Sequence, residues 1–202
     1  MLQEGSVTGI EWARLDSSAE AEGRDEELAA AAQTDSQAFA LLYRRHQMDI
    51  FRFLRARTGS NDEAADLTAV VFERALTAIG RYRPSGGGVI AWLFTIARNA
   101  ALDAERTRRR HRSGLAPGTE PSTETHDPSL LEDGVLQRER MAELRDRVER
   151  LPSVQRDAIT LRYAGGLTAR EIAGTLGKSE AATQKLLSRA LAALRESFRE
   201  DA

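Results

Sequence analysis

Residues 167–195 read LTAREIAGTLGKSEAATQKLLSRALAALR. Thr168 and Glu171 form the T-x-x-E pattern of a capping box, which marks a helix start. Ile172 and Leu176 fall one turn apart, and Gly177 suits a left-handed helix stop. Ser179 then caps a second helix, in which Ala182, Leu186, Ala190 and Leu194 keep an i, i+4 register. A short helix, a turn of about three or four residues containing glycine, and a longer helix make the helix-turn-helix pattern. Gly177-Lys178-Ser179 also resembles the end of a phosphate loop. That motif needs a glycine where Ile172 stands, and a strand ahead of it, so it is rejected.

A helix-turn-helix places its second helix in the DNA major groove. Here that helix opens Ser179-Glu180-Ala181-Ala182-Thr183-Gln184-Lys185, and its small residues permit close approach to a duplex. Gln184 is suited to base edges, and Lys185 and Arg189 to phosphates or to guanine. A plain helical hairpin without a DNA role is the bland alternative.

Upstream, Phe39, Leu42, Tyr43, Ile50, Phe51 and Leu54 fall near helical spacing. Ser60 or Asn61 can cap a next helix with Leu67, Val70, Val71, Ala75 and Ile79 inward. Arg83-Pro84-Ser85-Gly86-Gly87-Gly88 must break it, and Trp92, Leu93, Ile96, Ala97 and Ala100 begin a third stripe. That helix starts apolar and ends in Arg106, Arg108, Arg109, Arg110 and Arg112. No run alternates over strand length, so the expected class is all-α.

The net charge of −2 over 202 residues hides segregation. Residues 1–34 carry −6, residues 35–112 carry +6 from 14 arginines against 8 acids, residues 113–133 carry −5, and residues 134–202 carry +3. Two basic blocks divided by an acidic spacer favour a polyanionic partner over what the pI suggests. Solvated faces of an arginine-rich composition are the alternative. The chain has no cysteine, which excludes disulfides and thiolate metal sites, and His46, His111 and His126 lack ligand spacing. No metal or cofactor is expected. There is no nucleophile–base pairing, phosphate loop or cofactor fingerprint, so an enzyme is not expected. Neither a signal peptide nor a span-length apolar run is visible, giving a cytoplasmic location without membrane insertion. Residues 1–26 read as a disordered acidic tail. The stretch 113–133, rich in Pro, Gly, Ser and Thr, reads as a flexible acidic linker.

LPSVQRDAITLRYAGGLTAREIAGTLGKSEAATQKLLSRALAALR (151–195) resembles region 4 of bacterial sigma factors of the sigma-70 family. ADLTAVVFERA (65–75) together with AWLFTIARNAALDAERTRRR (91–110) resembles region 2. Both regions in this order, joined by a short linker, look like the extracytoplasmic-function (ECF) group. The resemblance implies two small helical domains, region 2 at 27–112 and region 4 at 134–202. It implies a −10 surface of Tyr82, Arg83, Ser85, Trp92, Arg98, Asn99, Asp103, Arg106 and Arg109, with loop 82–87 capturing a flipped base. It implies a −35 surface of Arg162, Thr168, Ser179, Glu180, Ala181, Ala182, Gln184, Lys185 and Arg189. Asp66, Leu67, Phe72 and Arg74 match the segment that grips core RNA polymerase at its β′ clamp helices, region 4 meeting the β flap. Relatives commonly carry Gln then Glu where Ala69 and Val70 stand, which implies either weaker core binding or a more apolar contact here. An anti-sigma factor is a further implied partner, and no small-molecule substrate is. Opening a duplex requires a substitute for lost stacking, and an aromatic or guanidinium surface supplies about 1–3 kcal/mol per base. The arginine run is then the DNA-facing end of a helix whose other face is core.

Two rival functions stay open on sequence. A stand-alone helix-turn-helix regulator predicts tight operator binding by the free protein at a palindromic site. A helical interaction protein predicts no DNA binding.

Overall fold

A computed structural model describes residues 23–114 and 133–200, with side chains over 23–111 and 140–199. Residues 1–22 and 115–132, which hold most of the expected tail and linker, lie outside the described residues. The described residues are helical and contain no strand. A first helix, α1, runs to residue 31. It is followed by α2 (Ser36–Thr58), α3 (Asn61–Ala78), a 3-10 turn (Ile79–Arg81), α4 (Gly88–Gly114), α5 (Asp133–Arg150), α6 (Ser153–Tyr163), α7 (Ala169–Leu176) and α8 (Glu180–Glu200).

The acidic start is a correction. Residues 23–26 were expected in a disordered tail, yet they are helical. Their acids have inward partners: Asp25 pairs with Arg45 at 3.1 Å and His46 at 3.2 Å, while Ala29 and Ala32 bury behind them. Acidic composition misleads where each carboxylate meets a donor on another helix.

Local chemistry sets the helix ends. Asp35 accepts from the Gln37 N–H to start α2, and Ser60 accepts from the Glu63 N–H to start α3. Ser60 is thus the cap, with Asp62 and Glu63 placed favourably for the helix dipole. Helices α2, α3 and α4 pack together around Leu42, Ile50, Phe53, Leu54, Val71, Leu93 and Phe94. Phe53 meets Phe94 edge-on at 5.4 Å. Burying each such side chain contributes about 1.5–3 kcal/mol. In α3 the inward stripe is Ala64, Thr68, Val71, Phe72 and Ala75, so Val70 is displaced to the half-buried edge; Tyr43 on α2 is exposed.

Helices α6, α7 and α8 form the second block, with α5 against α6 and α8. In α8 the expected stripe holds at Ala190 and Leu194 and departs by one residue only in the first turns. Ala182 is exposed and Thr183 is fully buried, so the stripe is Thr183, Leu187, Ala190 and Leu194. A helix turns about 100° per residue, and that sequence of i, i+4, i+7, i+11 keeps the buried face continuous.

The two blocks do not stand apart. Ala158, Leu161, Leu167 and Ile172 of the second block belong to the same buried cluster as Phe53, Leu93 and Phe94 of the first. Helix α7 lies on α4 at a point where both backbones are bare. A Cβ on Gly174 would sit 3.0 Å from Gly87 Cα and 3.2 Å from Ala91 Cβ. A Cβ on Gly165 would lie 2.7 Å from the Phe94 ring. The Thr175 hydroxyl adds a bond to the Ala91 carbonyl at 3.3 Å.

Gly174→Val should therefore lower stability by about 1–3 kcal/mol through overpacking. Gly86→Ala, with nothing within 4 Å of its added Cβ, should stay within about 0.5 kcal/mol. Urea unfolding of both variants checks the difference, and equal midpoints would contradict the close packing.

Candidate nucleic-acid interface

The helix-turn-helix is built as its sequence requires. Thr168 accepts from the Glu171 N–H at 3.3 Å, and Glu171 accepts from the Thr168 N–H at 2.6 Å, closing the capping box. Gly177 takes φ +63°, and the Lys178 N–H donates to the Ala173 carbonyl at 2.9 Å. The Ala182 N–H donates to the Ser179 hydroxyl at 3.3 Å, so Ser179 caps α8. Ser179, Glu180, Ala181, Ala182, Gln184, Lys185 and Arg189 are all exposed and share one end of the helix-turn-helix. Thr168 is half-buried with its hydroxyl committed to the cap. Arg162 is exposed and donates to the Leu167 carbonyl at 2.9 Å, bracing the connection into α7.

The residues expected at the −10 surface divide between two faces of α4 and its preceding loop. Asn99, Asp103 and Arg106 recur at i, i+4, i+7 on an exposed face, with half-buried Trp92 two turns earlier. Asp103 ties this face to α3 through Arg74 at 3.7 Å and braces Arg106 at 3.3 Å. Arg83 and Ser85 are exposed at the loop. Arg98 and Arg109 lie on another side. Arg109 pairs with Glu105 at 2.6 Å in solvent, whereas Arg98 points at α6. Tyr82 differs most from expectation: it is 4% exposed, its ring packs on Trp92 at 5.1 Å, and its hydroxyl donates to Glu26 at 2.7 Å. Burial, with the Glu26 carboxylate adding to it, pushes the Tyr82 phenol well above its ordinary 10. In this conformation Tyr82 is a core residue beneath the loop.

At the joint between blocks the structure places a group that sequence reasoning missed. The Asp157 carboxylate, 2% exposed, accepts from Arg57 at 2.7 Å on one oxygen and from Arg98 at 2.6 Å on the other. Burial pulls the Arg57 guanidinium below its ordinary range, and Asp157, with more distant Glu105, opposes that pull. The available signal was one acid inside the run Asp157–Leu161, whose every residue is buried. Arg57, at the end of α2, carried no signal of its own.

The residues expected to meet polymerase occupy α3. Asp66 is exposed, Arg74 half-exposed, and Leu67 half-buried against the core. Phe72 is buried, with Tyr43 edge-on at 4.8 Å. Asp66 and Arg74 are thus available at the surface, and Phe72 shapes the helix from beneath.

An all-α chain with a capped helix-turn-helix in one block and an arginine-bearing helix behind a glycine loop in the other is a two-block helical protein of the nucleic-acid-binding kind. Comparison with known proteins gives the family. The family described as "Sigma-70 region 2" matches residues 42–111, and "Sigma-70, region 4" matches residues 141–194. The ECF RNA polymerase sigma factor BldN of Streptomyces coelicolor is 36% identical over 87% of this chain and 66% of its own length. The ECF sigma factor SigK of Mycolicibacterium vanbaalenii is 31% identical over 84% of this chain and 86% of its own. Among solved structures, CnrH in complex with the cytosolic domain of CnrY shares the fold at TM-score 0.65 and 24% identity, over 89% of this chain and 99% of that one. The chain belongs to the ECF sigma factors of the sigma-70 family.

Removing the Asp157 carboxylate leaves two guanidinium groups facing each other at a buried joint. Asp157→Asn should cost about 3–5 kcal/mol, the usual penalty for breaking a buried pair. Replacing Arg57, Arg98 and Asp157 together by Met, Met and Leu should recover most of it. A urea series on wild type and these two variants decides this, and a single variant as stable as wild type would refute it.

Proposed function

We propose that this chain is the promoter-specificity subunit of a bacterial RNA polymerase: it binds core enzyme, reads −35 and −10 elements, and opens the −10 DNA. The observation that carries the reading is the pairing of the two matched regions, one ending in a helix-turn-helix whose recognition face is bare. Ser179 to Lys185 would enter the −35 major groove, with Gln184 at base edges and Lys185 and Arg189 on phosphate or guanine. The face made by Trp92, Asn99, Asp103 and Arg106, with Arg83 and Ser85 on the loop, would receive the −10 strand, and Arg109 would track phosphate. Asp66 and Arg74, around buried Phe72 and half-buried Leu67, would meet the β′ clamp helices, and region 4 the β flap. No reaction is assigned to the chain itself. Its place of work is the cytoplasm, and among the described residues no helix is long and apolar enough to cross a membrane. An anti-sigma factor as regulatory partner is part of this reading; a solved relative of the same fold, RpoE of Bartonella quintana, is a complex with the anti-sigma factor NepR.

Geometry adds a requirement. Elements centred about 25 base pairs apart are separated by roughly 85 Å at about 3.4 Å per pair. A compact body of this size has a radius of gyration near 15 Å. The shared core and the Asp157 joint therefore have to part when both elements are read at once. Polymerase, by holding the blocks at fixed separation, supplies what the free chain lacks.

Run-off transcription with core polymerase and pooled promoter fragments tests the reading. Discrete new start sites should appear with the chain, vanish with Asp66→Arg, and weaken with Gln184→Ala by a factor of about ten, as one lost base contact implies. No transcripts together with tight DNA binding by the free chain would favour a stand-alone regulator instead.

A further inference from the structure

The loop between the 3-10 turn and α4 is clamped at its base by a residue outside both matched regions. Glu26 lies in α1. Its Oε1 accepts from the Tyr82 hydroxyl at 2.7 Å and from the Val89 backbone N–H at 2.6 Å. Those donors stand at opposite ends of the loop, so one oxygen atom closes it. The Gln33 side-chain amide, from the segment just after α1, donates to the Tyr82 carbonyl at 3.3 Å and fixes the same end. Gly88 leaves room for the carboxylate: a Cβ there would lie 3.1 Å from Oε1, at a backbone φ of +68°. Beyond the clamp, Arg83, Pro84, Ser85 and Gly86 are exposed.

This is an expensive way to start a helix. A local Ser or Asp cap would satisfy a first-turn N–H at lower cost. Instead the second oxygen of Glu26 is buried and has no hydrogen-bond partner among the described residues. An unpaired buried carboxylate oxygen lowers stability. What the arrangement delivers is position. It turns the Tyr82 ring down against Trp92, aligns the first turn of α4, and holds together the base of a loop whose far end, at Gly87, also lies against α7. A loop that is already ordered does not lose that freedom when a strand binds.

We infer that Glu26 is a positioning residue for −10 recognition: by joining Tyr82 to Val89 it preforms loop 83–87 as the surface that a displaced base meets. Glu26 touches no DNA itself. The inference rests on the sigma reading above, and two separate measurements keep the clamp and that reading apart.

The first is amide hydrogen exchange at Val89 in the full-length free chain. Glu26→Ala should lower protection about tenfold, and Glu26→Gln, which keeps an acceptor oxygen, should restore most of it. The second uses holoenzyme on a promoter identified by run-off and on the same promoter with one −10 base changed. Glu26→Ala should shrink the ratio of the two signals about tenfold, with core-polymerase affinity unchanged and Glu26→Gln close to wild type. A merely structural role would lower both promoters equally, and that result would overturn the proposal. So would lost Val89 protection with an unchanged ratio, or protection unaffected by Glu26→Ala. A wild-type holoenzyme that initiates nowhere would overturn the sigma reading and the −10 role with it, while Val89 exchange would still report whether the clamp exists.

Discussion

A single carboxylate organises the joint on which the described conformation depends. Asp157 sits where α6 meets α2 and α4, and it takes one guanidinium on each oxygen. Taking these charges out of water costs several kcal/mol per ion, so the group is poor evidence for stability by itself. What it supplies is register. With both oxygens used, α6 cannot slide along α2 or α4 without stranding a buried charge, whereas a purely apolar joint between Phe94, Leu161 and Leu167 would tolerate several offsets. The polar joint selects one arrangement and the surrounding apolar cluster stabilises it.

The glycines follow from that register. Once Asp157 fixes α6, the chain turning into α7 is carried against the start of α4, where an added Cβ on Gly174 or Gly87 would lie 3.0 or 3.3 Å from the other's Cα. The glycine-rich loop thus has two demands on it. One face lies against α7, while Arg83 and Ser85 remain exposed. Helix α4 answers three demands along its length: Leu93, Phe94 and Ala97 bury in the common core, Arg98 reaches Asp157, and Asn99, Asp103 and Arg106 face outward. A helix carrying so many constraints at different phases explains why its apolar start gives way to arginine.

Much of this was legible in the sequence because it is local. The capping box at Thr168 and Glu171, the left-handed stop at Gly177 and the cap at Ser179 are set by residues within four positions of one another. The all-α class followed from periodicity in the same way. What stayed hidden is long-range. Tyr82 reads as a loop aromatic, and only the arrival of Glu26 from α1 turns it inward. Arg98 reads as a DNA contact, and only Asp157, 59 residues later, commits it. Thr183 took the buried place expected of Ala182 because helical spacing fixes a stripe only to within a residue; the packing of α7 on α8 chooses among neighbouring phases. Residues 23–26 were assigned to a tail because acid-rich composition speaks of average solvation, not of the partners that Asp25 and Glu26 find.

The charge pattern needs the same distinction. Read along the chain, residues 35–112 present a basic block of +6, as though every arginine faced a polyanion. The structure sorts those arginines by how firmly they are held. Arg57 and Arg98 share a carboxylate that is 2% exposed, and removing that carboxylate would leave two guanidinium groups at a joint shielded from water. Arg106 and Arg109 pair with Asp103 and Glu105 at side-chain exposures of 71% and 70%. Exposed pairs of that kind contribute about 0–1 kcal/mol, so a phosphate can displace the acid at almost no cost. A phosphate contact also releases condensed counterions, which a surface carboxylate does not. The basic block is therefore two populations: a buried one that holds the fold in register, and a loosely paired surface one that is free to exchange its acids for a nucleic-acid backbone.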